Sequence, residues 1–188
     1  MSVDPQRAAE AVRNLLVSFG VDPESPELKA TPRRVADFWA ERLEGYGVDV
    51  AAELTPLPGD LAPCPVILER IPFVSTCEHH LAPFSGHATV GYLPGPGGTV
   101  GLSKLVRVVQ IYAHRLQVQE RMTQQIYDAL ALHLRPQAWA VLLTAEHTCM
   151  SHRGVKTPGV PVATGLRGGL WAREAPPAFQ SCHPLEHP

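Results

Sequence analysis

The run "STCEHHLAPFSGHATVGYL", residues 75–93, joins a chemical cluster to a structural signal. From residue 87 onward, Ala88, Val90 and Tyr92 alternate with His87, Thr89 and Gly91. That period of two predicts a strand with one face in a core. Just before it, Cys77, Glu78, His79 and His80 crowd one thiol, one carboxylate and two imidazoles together. Buried without partners such groups are costly, and on a surface no packing reason would gather them. Cys77 and His80 stand in C-x-x-H spacing, so in a turn or a helical start they face the same side. In an extended strand Cys77 and His79 would share a face instead. Spacing leaves both pairings open, although Pro83 favours a turn.

Outward from this run the pattern is mixed. A strand-like segment at 65–73 precedes it and "PGPGG" at 94–98 reads as a turn. A long helical region, 103–134, follows. Leu105, Val108, Val109, Tyr112 and Leu116 mark one apolar stripe, Met122, Ile126 and Leu130 another, and the polar "QVQE" at 117–120 separates them. "WAVLLTAEH", 139–147, predicts a buried strand. Upstream, Asp4-Pro5 caps a helix carrying Val12, Leu15, Leu16 and Phe19 and ending at Gly20. Thr31-Pro32 opens a second, with Val35, Phe38, Trp39 and Leu43 on one face and Gly45 and Gly47 behind it. The expected organisation is an N-terminal helical hairpin and connector (1–60), an α+β core (61–175) and a Pro-rich tail (176–188) that packs poorly, all one functional domain.

The bulk numbers exclude several classes. A chain of 188 residues, 45% hydrophobic and 18% charged, can bury a substantial core. A net charge of −2 gives no support for nucleic-acid or anionic-membrane binding. No apolar run reaches membrane-span length, and "MSVDPQRAAEAV" lacks a signal-peptide core, so a cytoplasmic protein is expected. Cys64, Cys77, Cys149 and Cys182 in a reducing compartment favour metal binding or catalysis over a disulfide frame.

Zinc takes thiolate and imidazole ligands, three from the protein when a position is left open for water. Cys149 follows a strand-like run, with His147 two residues earlier, and is the natural third ligand. An open zinc ion lowers the pKa of its water to about 7. A closed structural site completed by His79 or His147, or a buried thiol beside surface histidines, are the alternatives. For an anion, Ser103 and Lys104 stand at a predicted helix start with Arg107 one turn on, and Arg153 and Lys156 follow Cys149. Arg33 and Arg34 add charge at the second helix. Forked arginines and point-charge lysines suit a polyphosphate. Glu120, between the two apolar stripes, would suit the N1–H and 2-amino donors of a guanine; a solvated Glu paired with a nearby Arg is the plainer reading.

Together these residues resemble the GTP cyclohydrolase I family. The matching segments are "TPRR" (31–34), "CEHHLAPFSG" (77–86), "GLSKLVRVV" (101–109), "RLQVQERMTQQI" (115–126) and "AEHTCMSHRGVKTPG" (145–159), in the family's order. The resemblance implies the tunnelling fold, an antiparallel sheet carrying two long helices, and a toroidal homodecamer with active sites between subunits. It implies hydrolytic opening of GTP to 7,8-dihydroneopterin triphosphate and formate, the entry to folate or tetrahydrobiopterin synthesis. Carried residue by residue, it makes Cys77, His80 and Cys149 the zinc ligands and His79 and His147 the proton-transfer histidines. Glu78 orients its neighbours and Ser103 is a polar active-site residue. Glu120 with Gln119 recognises guanine, while Lys104, Arg107, Arg153 and Arg34 contact the triphosphate.

Thr76, Ala82, Ser85, His87 and His152 depart from the residues usual in the family, as do "VPVATGLRG" (160–168) and the ending "APPAFQSCHPLEHP". None removes an implied ligand, acid/base residue or phosphate contact. They leave room for a paralogue in a specialised pterin or deazapurine pathway, or a non-catalytic scaffold that binds zinc or nucleotide. Cys182, His183 and His187 could form another metal site, with a Pro-rich tail the plainer reading.

Overall fold

The computed structural model describes residues 3–57 and 64–185. The boundary at 60/61 and His187 lie outside the described residues. Helix α1 (Pro5–Ser18) starts as expected: the Asp4 carboxylate accepts from the Arg7 N–H, and Pro5 fills the first turn. Its companion α2 (Thr31–Arg42) packs against it. The hairpin is real, but α1 buries no residue, and Phe19 is 79% exposed. A turn of 3-10 helix (Glu44–Gly47) and the short α3 (Val50–Glu53) then lead toward the core.

The core unit is one six-stranded sheet. In chain order its strands are β1 (Val66–Cys77), β2 (Pro83–Leu93), β3 (Leu116–Gln117), β4 (Ala138–His147), β5 (Val162–Gly169) and β6 (His183–Pro184). In space they run β3-β1-β2-β4-β5-β6. The four long strands are antiparallel neighbours; only the two-residue edge strands pair in parallel. Helices α4 (Leu102–Ala113) and α5 (Gln119–Leu134) cover one face. The helical region is therefore two helices, but the break spans 114–118 and begins before the polar "QVQE": Leu116, read into the first stripe, lies in β3, and Gln119 and Glu120 open α5.

The alternation that predicted β2 is realised. Ala88, Val90 and Tyr92 are buried against Leu105, Val108 and Val109 of α4 and Met122, Ile126 and Leu130 of α5. Along β4, Trp139, Val141 and Leu143 join this core, while Ala138, Ala140 and Leu142 point to the other face. That other face is where the sequence reading fails. The described part of the tail, through Leu185, does not pack poorly. Phe179 is 0% exposed and stacks on Trp171 at 5.6 Å, and Cys182 is buried beside them. β6 then pairs with β5, and Arg167 Nε donates to Cys182 O at 3.0 Å. The physical reason is that a sheet of this width needs cover on both faces. The tail's few aromatic and apolar residues supply it despite the prolines around them.

Architecture and class are thus α+β, with the antiparallel sheet and two long helices of the tunnelling fold. No helix among the described residues is long and apolar enough to cross a membrane.

Candidate metal centre and adjoining cleft

Strand β1 ends at Cys77, and the chain turns at once. The Cys77 N–H donates to Ala82 O at 2.8 Å, and the Leu81 N–H donates back to Cys77 O at 2.8 Å. Leu81 takes the left-handed conformation (φ 51°) that so tight a turn requires. The turn returns His80 to the side of Cys77, with Nδ1 3.9 Å from Sγ. Cys149 reaches the same point from α6 (Thr148–Ser151), which follows directly on β4. One donor atom from each of Cys77, His80 and Cys149 lies within 4.8 Å of the others. Tetrahedral zinc, with bonds of about 2.3 Å to sulfur and about 2.0 Å to nitrogen, would set neighbouring donors roughly 3.6 Å apart. The soft donor set and its spacing fit such an ion.

Of the two pairings that spacing left open, the turn selects Cys77 with His80. His79 stands apart, its ring edge-on to His80 at 6.4 Å and its side chain mostly exposed. Burial and the neighbouring Cys77 sulfur push the Cys149 thiol up. Two thiols this close disfavour ionising together; a bound cation would reverse that preference.

Beside this group opens a cleft of about 230 Å³, lined among others by Cys77, Cys149, His79, His147, Gln119 and Glu120. His147 ends β4 and stacks flat on Phe84 of β2, with centroids 4.5 Å apart. Burial lowers its pKa, against a smaller opposing pull from Glu120. Glu120, in the first turn of α5, presents an exposed carboxylate. Gln119 is buried, and its side chain bonds within the chain rather than to solvent. Arg153 donates to His80 Nε2 at 2.7 Å, which puts a guanidinium next to the three donors.

Glu78 turns toward α5, where Arg121 holds it at 2.5 Å; that hydrogen bond keeps the carboxyl below the usual range. Its other oxygen lies 3.7 Å from His79 Nε2, a position from which it can orient that ring.

Seven expected site residues are not in the cleft's lining: His80, Glu78 and Arg153 stand at or beside the donor group, and Ser103, Lys104, Arg107 and Arg34 lie on α4 and α2. Ser103 and Arg34 are exposed, on α4 and α2. Lys104 Nζ bonds Glu53 Oε2 at 2.8 Å, and Arg107 lies 3.5 Å from the same oxygen. The bond from Lys104, chiefly, holds the Glu53 carboxyl low. Sequence reading missed Glu53, in a connector without periodicity. It also missed Phe84 as the platform of His147, although Phe84 lies in the opening run.

Fold and site together define a tunnelling-fold protein with a Cys–His–Cys group suited to a soft metal, beside a cleft that carries His79, His147, Gln119 and Glu120. A family profile for GTP cyclohydrolase I matches residues 8–180. "GTP cyclohydrolase 1" of Dehalococcoides mccartyi (strain ATCC BAA-2266 / KCTC 15142 / 195) is 49% identical over 170 residues, 89% of each chain. "GTP cyclohydrolase 1" of Mycobacterium bovis (strain BCG / Pasteur 1173P2) is 46% identical over 173 residues, 92% of this chain and 86% of that one. Among solved structures, the apo archaeosine synthase QueF-Like aligns with TM-score 0.45 and 17% identity, over 57% of this chain and 95% of that one. The chain belongs to the GTP cyclohydrolase I family.

Proposed function

We propose that this chain catalyses the zinc-dependent hydrolytic opening of the GTP imidazole ring. Formate is released, and rearrangement and ring closure give 7,8-dihydroneopterin triphosphate. The observation that carries the reading is the convergence of Cys77, His80 and Cys149 within 4.8 Å, on a cleft that also holds His79, His147 and Glu120. Cys77, His80 and Cys149 would hold the zinc, which when bound supplies a Lewis acid that acidifies water at neutral pH.

The chain's own groups do the rest. The carbon between the two imidazole nitrogens of guanine is a poor electrophile until the adjacent nitrogen is protonated. His79, exposed at the cleft and oriented by Glu78, is placed to give that proton. His147, which also lines the cleft, serves the later proton transfers of ribose opening and closure. Glu120 accepts from N1–H and the 2-amino group, which fixes the base. Arg153 gives positive charge to the triphosphate from the metal side.

Lys104, Arg107, Ser103 and Arg34 fit this scheme through a second copy. None lines the cleft of its own chain, so another subunit would bring them to it. The assembly is read as a homodecamer with shared sites, and the compartment as the cytoplasm. The exposed Phe19 and Leu15 of the helical hairpin are apolar surface that such packing would cover.

The test is incubation of zinc-loaded protein with GTP, measuring formate and the fluorescent pterin formed on oxidation. Both products are expected. Formate without pterin would mark a paralogue that stops early, and neither product with zinc and GTP bound would refute catalysis. His79→Ala should keep its zinc and lose turnover; loss of metal instead would make His79 a ligand.

A further inference from the structure

We propose that Gln119 is a positioning residue whose buried carboxamide clamps the His147 ring and fixes which ring nitrogen carries the proton. The inference rests on the reading that His147 moves protons in the reaction. Gln119 opens α5 and is 1% exposed. Its Nε2 has two hydrogens and three acceptors in reach, Val162 O at 3.0 Å, Thr164 Oγ1 at 3.0 Å and the more distant Leu143 O at 3.3 Å, which shares a hydrogen with one of the others. Two of those three atoms are backbone carbonyl oxygens, which only accept. The amide nitrogen must therefore face β4 and β5, and the amide oxygen must face the other way.

The hydroxyls agree with this orientation. Thr123 spends its single hydrogen on Gln119 O at 2.9 Å. The 2.7 Å contact between Thr123 and Thr164 therefore takes its hydrogen from Thr164. Thr164 in turn accepts from Gln119. A closed circuit results: Gln119 side chain to Thr164, Thr164 to Thr123, Thr123 to the Gln119 carbonyl. Nothing in it leaves the amide free to flip.

The amide oxygen then lies 2.8 Å from His147 Nε2. A carbonyl oxygen accepts only, so His147 carries hydrogen on Nε2. The neutral ring keeps its lone pair on Nδ1. Flat stacking on the buried Phe84, 4° from parallel, resists a tilt that would break the bond. Four elements, α5, β2, β4 and β5, thus hold one imidazole in one orientation and one tautomer. Gln119 acts on the substrate through His147, which separates it from a residue that contacts guanine directly.

Two measurements test this. In zinc-loaded protein with histidine ¹⁵N labels and no substrate, the His147 signals should show a protonated Nε2 and an unprotonated Nδ1. A protonated Nδ1, or a mixture, overturns the proposal. This readout needs no turnover. If the expected tautomer is found in a protein that does not turn over GTP, the clamp stands and the functional reading fails. With GTP, Gln119→Met should lower kcat about 10²-fold with KM within about twofold, because it misplaces a catalytic ring. Thr164→Val leaves both carbonyl partners in place, so it folds more safely. It should lower kcat about tenfold at unchanged zinc content, and Thr164→Ser should restore it. A raised KM with kcat retained would assign Gln119 to the base instead and overturn the clamp.

Discussion

The cover given to the outer sheet face by the C-terminal segment can be tested at the contact between Gly91 and Phe179. A Cβ built at Gly91 would lie 2.8 Å and 3.0 Å from two ring carbons of Phe179 and 3.1 Å from Val66 O. Gly91→Ala should therefore cost about 1–3 kcal/mol in overpacking, reduced by about 0.5–1 kcal/mol because alanine has fewer unfolded conformations to lose. Phe179→Ala removes a ring that is 0% exposed and should cost about 3–5 kcal/mol. The two effects should not add. Once the ring is gone, the alanine methyl occupies part of the space it left. The double variant should be more stable than the sum predicts by about 1–2 kcal/mol, with the remaining contact to Val66 O limiting the recovery. Urea unfolding at one fixed protein concentration measures all four forms, because association would otherwise shift apparent stability. Trp171, 5.6 Å from the Phe179 ring, makes its fluorescence a local reporter. Additivity within about 0.5 kcal/mol, or a cost for Phe179→Ala below about 1 kcal/mol, would refute the packing.

Cys149→Ser should lose zinc with far-UV circular dichroism unchanged, its affinity falling by more than the roughly 10–100-fold that loss of an outer-shell partner costs. Full zinc content by atomic absorption would remove Cys149 from the donor group. Glu53 has its pKa lowered in the folded state by Lys104. Its contribution to stability is therefore present above the ordinary carboxylate value and lost as pH falls through the lowered one. The stability gap between wild type and Glu53→Gln should be widest near neutrality and close on acidification. A gap constant from about pH 7 to about pH 3 would show that Glu53 is not tied to Lys104 and Arg107.

Much of this was legible in residue order because the signals are local. The two-residue period of Ala88, Val90 and Tyr92 defined a strand and its buried face. The stripes through Leu105 and Met122 marked a long helical region with a polar interruption, although the break itself falls a few residues earlier, at 114–118. Asp4-Pro5 and Thr31-Pro32 marked where helices begin. What escaped depended on contacts between distant segments. β3 and β6 are two residues each and have no period to detect. Phe179 is one aromatic among prolines, and only the uncovered back of the sheet gives it a place. Glu53 has no pattern of its own, and its role exists only because α3 lies against α4.

At the site, the division is similar. Residue types alone determined that Cys77, Cys149 and the adjacent histidines could offer soft donors, and their segments in order pointed to the family. Spacing could not choose between His79 and His80, because either shares a side with Cys77 in some local geometry. The turn closed by Leu81 made that choice by ending β1 at Cys77 and bringing His80 back. Gln119 and His147 are 28 positions apart. That they meet, with Thr164 and two strand carbonyls fixing the direction of their bond, is a property of the sheet register and the start of α5. Sequence supplied the chemical groups; only the tertiary structure set which of them face one another, because hydrogen-bond direction is decided by the partners within reach.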